Sequence, residues 1–183
     1  MVKLLCIKCR QKSVIEIRRH NASFCELHFL EYFENQVSRN IRRHGMCTQE
    51  DRILVAVSGG KDSLALWDVL TRFGYSTSGI HIQLGIGDYS SQGQVHASSF
   101  AEKNNRTLIT VDLERDYGMG VPELSRTLRR VPCSGCGMGR RYIFNREAYK
   151  REFTVIATGY NLDDEAATLL GNVLHWQMGY LAH

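Results

Sequence analysis

From residue 51 onward the sequence predicts an α/β fold on a parallel sheet, preceded by a small cysteine-rich module. Three observations carry the prediction. Continuous apolar runs such as Ile53-Leu54-Val55-Ala56-Val57 alternate with segments of helical period. A glycine pair follows the first run directly, in Ser58-Gly59-Gly60-Lys61-Asp62-Ser63. Three of the six cysteines fall within the first 25 residues, at paired spacing.

The opening segment reads Cys6-x-x-Cys9, a short strand over Val14–Ile17, then Cys25-x-x-His28. The pattern C-x2-C-x15-C-x2-H supplies four donors for a tetrahedral Zn²⁺ with no open position, which marks a structural site. Residues 1–30 are therefore read as a zinc-ribbon module, and with so few apolar residues it needs the metal to fold. Leu27, Leu30, Phe33, Val37 and Ile41 recur at helical spacing, with Gly45 as C-cap. Residues 31–50 thus form a connecting helix, whose Arg39, Arg42 and Arg43 suit the negative end of its dipole.

The third segment, 51–183, has strands expected at 53–57, 78–84, 107–112 and 154–158 and helices near 63–73, 92–104, 139–151 and 162–179. Strands this apolar lie in a parallel sheet covered on both faces. Ligands of such sheets bind beyond the carboxyl ends of the strands. The glycine loop, the segment after Gln83 and the segment after Thr158 should therefore converge.

Three segments carry chemistry. Gly59 and Gly60 let the loop turn its N–H groups inward, toward the positive end of the next helix, with Lys61 adding charge and Ser58 and Ser63 hydroxyls. Such a cup binds a phosphate. It is not a Walker A loop, because Val55 replaces the first glycine and Asp62 follows the lysine. In Val131-Pro132-Cys133-Ser134-Gly135-Cys136-Gly137, proline and glycine predict a turn before a helix carrying Arg140 and Arg141. Thiols there should be acidified; the pair could form a disulfide, carry a persulfide, or ligate iron or zinc. In Thr158-Gly159-Tyr160-Asn161-Leu162-Asp163-Asp164-Glu165, Asn161 reads as an N-cap. The acids suit a first turn, and Asp163 and Asp164 could also hold Mg²⁺ or act as base.

Composition is that of an ordinary soluble globular protein, with no signal peptide because Lys3 and Lys8 interrupt the early apolar patch. Ala166–Ala182 carries no formal charge, but Asn172, His175 and Gln177 make it a poor membrane span, so a buried helix and a cytoplasmic protein are expected. The net charge of +4 is uneven: between Arg126 and Arg151 eight basic residues face Glu147 alone, a balance that suits a nucleic acid.

The loop SGGKDS after a hydrophobic strand resembles the PP-loop of the N-type ATP pyrophosphatases, which split ATP between the α and β phosphates and adenylate a substrate. Together with the N-terminal Cys/His motif, His81-Ile82-Gln83-Leu84-Gly85-Ile86-Gly87, PCSGCG and TGYNLDDEAATLLGN, it resembles, over nearly the whole chain, the TtuA-like tRNA 2-thiouridine synthetases that begin with a zinc finger. The stretch Asn161–Ala167 is similar to the branch that thiolates the T-loop 5-methyluridine; the wobble-uridine branch is the alternative.

The resemblance implies a PP-loop ATP pyrophosphatase domain that adenylates uridine O2 and replaces that oxygen with sulfur. It implies ATP contacts at Ala56, Ser58, Gly59, Gly60, Lys61, Asp62, Ser63, Ile82, Arg140 and Gly159, with Asp62 helping to place Mg²⁺ and Asp164 in catalysis. Cys6, Cys9, Cys25 and His28 would hold Zn²⁺, and Cys133 and Cys136 would hold a [4Fe–4S] cluster whose third cysteine is not in this chain. The implied partners are tRNA and a ubiquitin-like thiocarboxylate sulfur carrier; a homodimer is compatible with it. Arg140 stands where such enzymes often have lysine, which changes geometry and proton chemistry. Those enzymes also continue well past the position of His183, so the chain is expected to be a piece of a longer protein. Two rivals remain: an adenylating enzyme using a cysteine persulfide without a cluster, and a non-catalytic fragment that binds ATP and RNA.

Overall fold

A computed structural model describes residues 5–85, 87–118, 120, 123 and 132–176; the side chains at 87–90, 132–136 and 138 lie outside that description. The chain divides into two units, Met1–Thr48 and Gln49–His183.

In the first unit β1 (Ile15–Ile17) pairs antiparallel with β2 (Ala22–Phe24), Ile15 opposite Phe24. Asn21 closes the turn between them with φ +45°, a conformation asparagine tolerates. The small core is Cys6, Ala22, Phe24 and Cys25, with Phe29 and Tyr32 packed against it. Helix α1 (Glu26–His44) starts from Cys25 as N-cap and ends at Gly45, whose φ of +54° is the left-handed C-cap expected there. Its apolar stripe is not the face that meets this core. Leu27 is 64% exposed and Leu30 46%, whereas Phe29 and Tyr32 make the contact. Strand β2 was not legible in the sequence, because three residues are too few to show a period.

The second unit is a four-stranded parallel sheet of β3 (Arg52–Ala56), β4 (Ser76–Gln83), β5 (Leu108–Asp112) and β6 (Val155–Thr158), in the order β5-β4-β3-β6. The four strands fall where expected, within a few residues. Ile53, Leu54 and Val55 of the inner strand are buried completely, each burial stabilising by about 1.5–3 kcal/mol. On one face Leu54, Ile80, Ile82, Ile109 and Val111 pack with Ile143. On the other, Trp67 lies so close to Gly79 that a Cβ there would sit 2.6 Å from its ring. Because β4 and β5 succeed β3 on one side and β6 joins on the other, the strand order reverses at β3. Such a switch point opens a crevice at the carboxyl edge.

The helices are α2 (Lys61–Arg72), α3 (Gly87–Lys103), α4 (Leu113–Tyr117), α5 (Pro132–Lys150) and α6 (Leu162–Leu174). Three expectations are corrected. Helix α3 begins at Gly87 rather than 92. The Pro132–Gly137 segment is helical rather than a turn, because proline fits a first helical position, where its missing N–H costs nothing. Helix α6 is not buried: Leu169 and Leu170 are more than half exposed. It forms on its cap, described below, and no described residue of it is buried. No described helix is long and apolar enough to cross a membrane.

Candidate functional site

The four N-terminal donors converge. Their ligand atoms all lie within 4.8 Å of one another. Cys9 Sγ is 3.6 Å from Cys25 Sγ, and His28 Nδ1 is 3.4 Å from Cys6 Sγ and 3.2 Å from Cys25 Sγ. A tetrahedron around one ion with metal–sulfur bonds of about 2.3 Å has edges of about 3.8 Å, so the spacing is that of a closed four-ligand site. Placing Cys25 at the N-cap and His28 in the first turn of α1 puts two donors on one helix face. Burial pushes the Cys6 thiol up, but backbone N–H groups at Cys25, Cys9 and Lys8 outweigh it and bring its pKa down to about 6. At Cys9 the backbone at Gln11 favours thiolate, yet burial and the Cys6 and Cys25 sulfurs together push that thiol up.

In the second unit a cavity of about 360 Å³ opens at the switch point. One wall is the loop after β3. Ser58 and Ser63 knit it: Ser58 N–H donates to Ser63 Oγ (3.2 Å), Gly60 N–H to Ser58 Oγ (3.3 Å), and Ser63 Oγ to the Gly60 carbonyl (2.9 Å). Both hydroxyls therefore shape the loop: Ser63 Oγ spends its proton on the Gly60 carbonyl, and Ser58 Oγ lies 3.2 Å from Ser63 Oγ. Gly60 caps α2, whose first N–H groups have no partner within the helix and face a place suited to an oxyanion.

The opposite wall follows β6. Gly159 is packed so tightly on α2 that a Cβ would lie 2.9 Å from Ser63 Cα. Asn161 Oδ1 accepts from the N–H groups of Asp163 (2.9 Å) and Asp164 (3.0 Å), while Asp164 Oδ2 accepts from Asn161 N–H (3.1 Å). This capping box aims Asp164 at the cavity, leaving its other oxygen uncommitted to the cap. The inner wall is apolar, with Ile82, Leu84 and Phe144, and Arg140 of α5 contributes positive charge.

Of the residues singled out from the sequence, Ala56, Ser58, Gly60, Asp62, Ser63, Ile82, Arg140, Gly159 and Asp164 line this one cavity. Gly59 and Lys61 do not line it: Gly59 turns the loop from behind, and Lys61 is exposed as the first residue of α2. Asp163 stays off the wall as well. Cys133 and Cys136 belong to the start of α5, and their side chains lie outside the described residues. His81, Phe144 and Tyr160 also line the cavity; His81 and Tyr160 lie inside the motifs quoted above without a role of their own, and Phe144 lies outside any motif. His81 is buried; burial depresses its pKa, the Val57 carbonyl opposes that and the Arg140 charge adds to it.

Residues 5–30 match the N-terminal LIM domain of the 2-thiouridine synthetase TtuA, and residues 29–175 match the PP-loop domain. The chain belongs to the PP-loop family. It is 51% identical to the tRNA-5-methyluridine(54) 2-sulfurtransferase of Thermus thermophilus, over 95% of this chain and 54% of that protein. It is 45% identical to the enzyme of that name from Pyrococcus horikoshii, over 97% and 56%. Among solved structures it resembles the U34-tRNA thiolase NcsA from Methanococcus maripaludis with its [4Fe-4S] cluster, at TM-score 0.87 and 26% identity, over 100% of this chain and 61% of that one. The chain spans about half the length of the curated relatives it matches.

Proposed function

We propose that this PP-loop chain carries the ATP site of a tRNA sulfurtransferase that adenylates uridine O2 and replaces it with sulfur, at the T-loop 5-methyluridine. The observation that carries the reading is the single cavity joining the phosphate loop, Arg140 and Asp164 at the sheet's carboxyl edge. Uracil O2 is a poor leaving group. In the first step O2 bonds to the α-phosphorus and the α–β bridging bond breaks, releasing pyrophosphate. In the second, sulfur bonds to C2 and the C2–O2 bond breaks, so the oxygen leaves on AMP. The amides at the start of α2 hold the phosphates that depart, Lys61, exposed at the first position of that helix, adds positive charge beside them, and Asp62 on the cavity wall helps place Mg²⁺. Asp164 is the group positioned to take a proton or steady the reacting base.

The Cys6/Cys9/Cys25/His28 cluster fits structural Zn²⁺, since three thiolates and one imidazole at tetrahedral spacing leave no open position. Cys133 and Cys136 would hold the iron–sulfur cluster, which supplies an iron site for the incoming sulfur. A ubiquitin-like thiocarboxylate protein is the proposed donor, and the cytoplasm, where tRNA is modified, the proposed compartment. We keep the three-part division into a metal module (1–30), a connecting helix (31–50) and a nucleotide domain from 51. The TM-score of 0.87 to a U34 thiolase favours a second reading, thiolation of the wobble uridine. Identities of 41–51% to proteins named for position 54 favour the T-loop.

Nucleoside mass spectrometry of tRNA from cells lacking the gene separates the two: loss of 2-thio-5-methyluridine is expected, and loss of a wobble thiouridine instead would overturn the T-loop assignment. Asp164→Asn tests the catalytic role, because asparagine keeps an oxygen for the cap. Turnover should fall about 100-fold or more with a nearly unchanged melting temperature. Wild-type turnover would reduce Asp164 to a helix cap.

A further inference from the structure

The phosphate loop is held by two residues outside its motif, one of them on the cavity wall. His81 lies on β4, 4% exposed, with Nδ1 2.8 Å from the Val57 carbonyl oxygen. A carbonyl only accepts, so Nδ1 carries the proton. Val57 N–H donates to the Ile80 carbonyl at 2.8 Å, which extends the β3–β4 ladder one residue past β3. The imidazole then takes the Val57 carbonyl, the last backbone group before Ser58, and fixes where ladder ends and loop begins. Gly93 of α3 closes the other side. A Cβ at Gly93 would lie 2.6 Å from the Ser58 carbonyl oxygen and 3.5 Å from His81 Cε1; a Cβ at Gly59 would lie 2.2 Å from the Gly93 carbonyl oxygen.

We infer that His81 and Gly93 are positioning residues that preorganise the PP-loop for the triphosphate, His81 through its Nδ1 hydrogen bond to Val57 and Gly93 by admitting the loop backbone against α3. The inference rests on the nucleotide reading above. A loop whose amides already point at the phosphates spends no binding energy on ordering itself. Each residue acts on the loop backbone.

The test is ATP affinity by calorimetry, with melting temperature measured beside it. The amide nitrogen of asparagine overlays imidazole Nδ1, and that of glutamine does not. His81→Asn should bind ATP within about twofold of wild type, while His81→Gln and His81→Ala weaken it about five- to tenfold, the scale of one lost hydrogen bond. Gly93→Ala should weaken it more than tenfold. Gly171→Ala, in open space on α6, should change nothing. Equal weakening in the asparagine and glutamine variants, or Gly93→Ala binding like wild type, would overturn the inference. So would a fall in melting temperature with affinity intact, which marks a merely structural role. If wild type binds no ATP, the nucleotide reading falls and this inference with it; if wild type and all variants bind alike, only this inference falls.

Discussion

Gly59→Ala is expected to abolish ATP binding while leaving the sheet folded. Gly59 sits at φ +85°, where an L side chain costs about 1–2 kcal/mol. Its added Cβ would also lie 2.2 Å from the Gly93 carbonyl, a backbone atom that cannot swing aside. Relief requires the loop to leave α3, which turns its amides away from the phosphates. The strands do not share this strain, since Ile53, Leu54 and Val55 are buried independently of the loop. Calorimetry should show at least a hundredfold loss of ATP affinity, with the far-ultraviolet spectrum unchanged. Binding within threefold of wild type would mean that the nucleotide does not use this loop.

Cys9→Ser should unfold the first unit and spare the second. Among the described residues the core cluster of that unit holds four buried residues, Cys6, Ala22, Phe24 and Cys25, and two of them are metal donors. So little apolar surface cannot offset the entropy of ordering some 40 residues at about 1–2 kcal/mol each for backbone. A structural zinc supplies about 10–16 kcal/mol in comparable small modules. With one sulfur gone, zinc content should drop well below one equivalent and amides of β1, β2 and the start of α1 should exchange within minutes. Those of β3 and β4 should keep wild-type protection. Full zinc occupancy with protected β1–β2 amides would contradict the assignment.

What was legible in the sequence was local. The glycine pair, Lys61 and the apolar run before them encode the loop within ten residues, and C-x2-C-x15-C-x2-H encodes the metal cluster by donor type and spacing. Asn161 could be read as a cap because the acids that complete its box follow at once. The rest depends on residues distant in sequence. Nothing near His81 announces that its imidazole meets Val57, 24 positions earlier. Gly93 reads as a weak spot in a helix until the loop is seen against it. Pro132 and Gly135 resemble turn residues, yet the backbone there is helical. The stripe Leu27, Leu30, Phe33 has the period of a buried face but is exposed, because periodicity reports a helix and not what covers it.

The central claim is that the cavity splits ATP between its α and β phosphates to activate a tRNA base. The most direct measurement is product analysis of α-labelled ATP incubated with the protein and tRNA lacking the thio group. The α-label should move onto tRNA as adenylate, or be released as AMP once sulfur displaces it, with an equal amount of pyrophosphate and only when that tRNA is present. In Cys133→Ala the label should still reach tRNA, because the phosphate loop and Asp164 remain intact, and should stay there. Labelled ADP, or AMP formed equally without tRNA, would contradict the account.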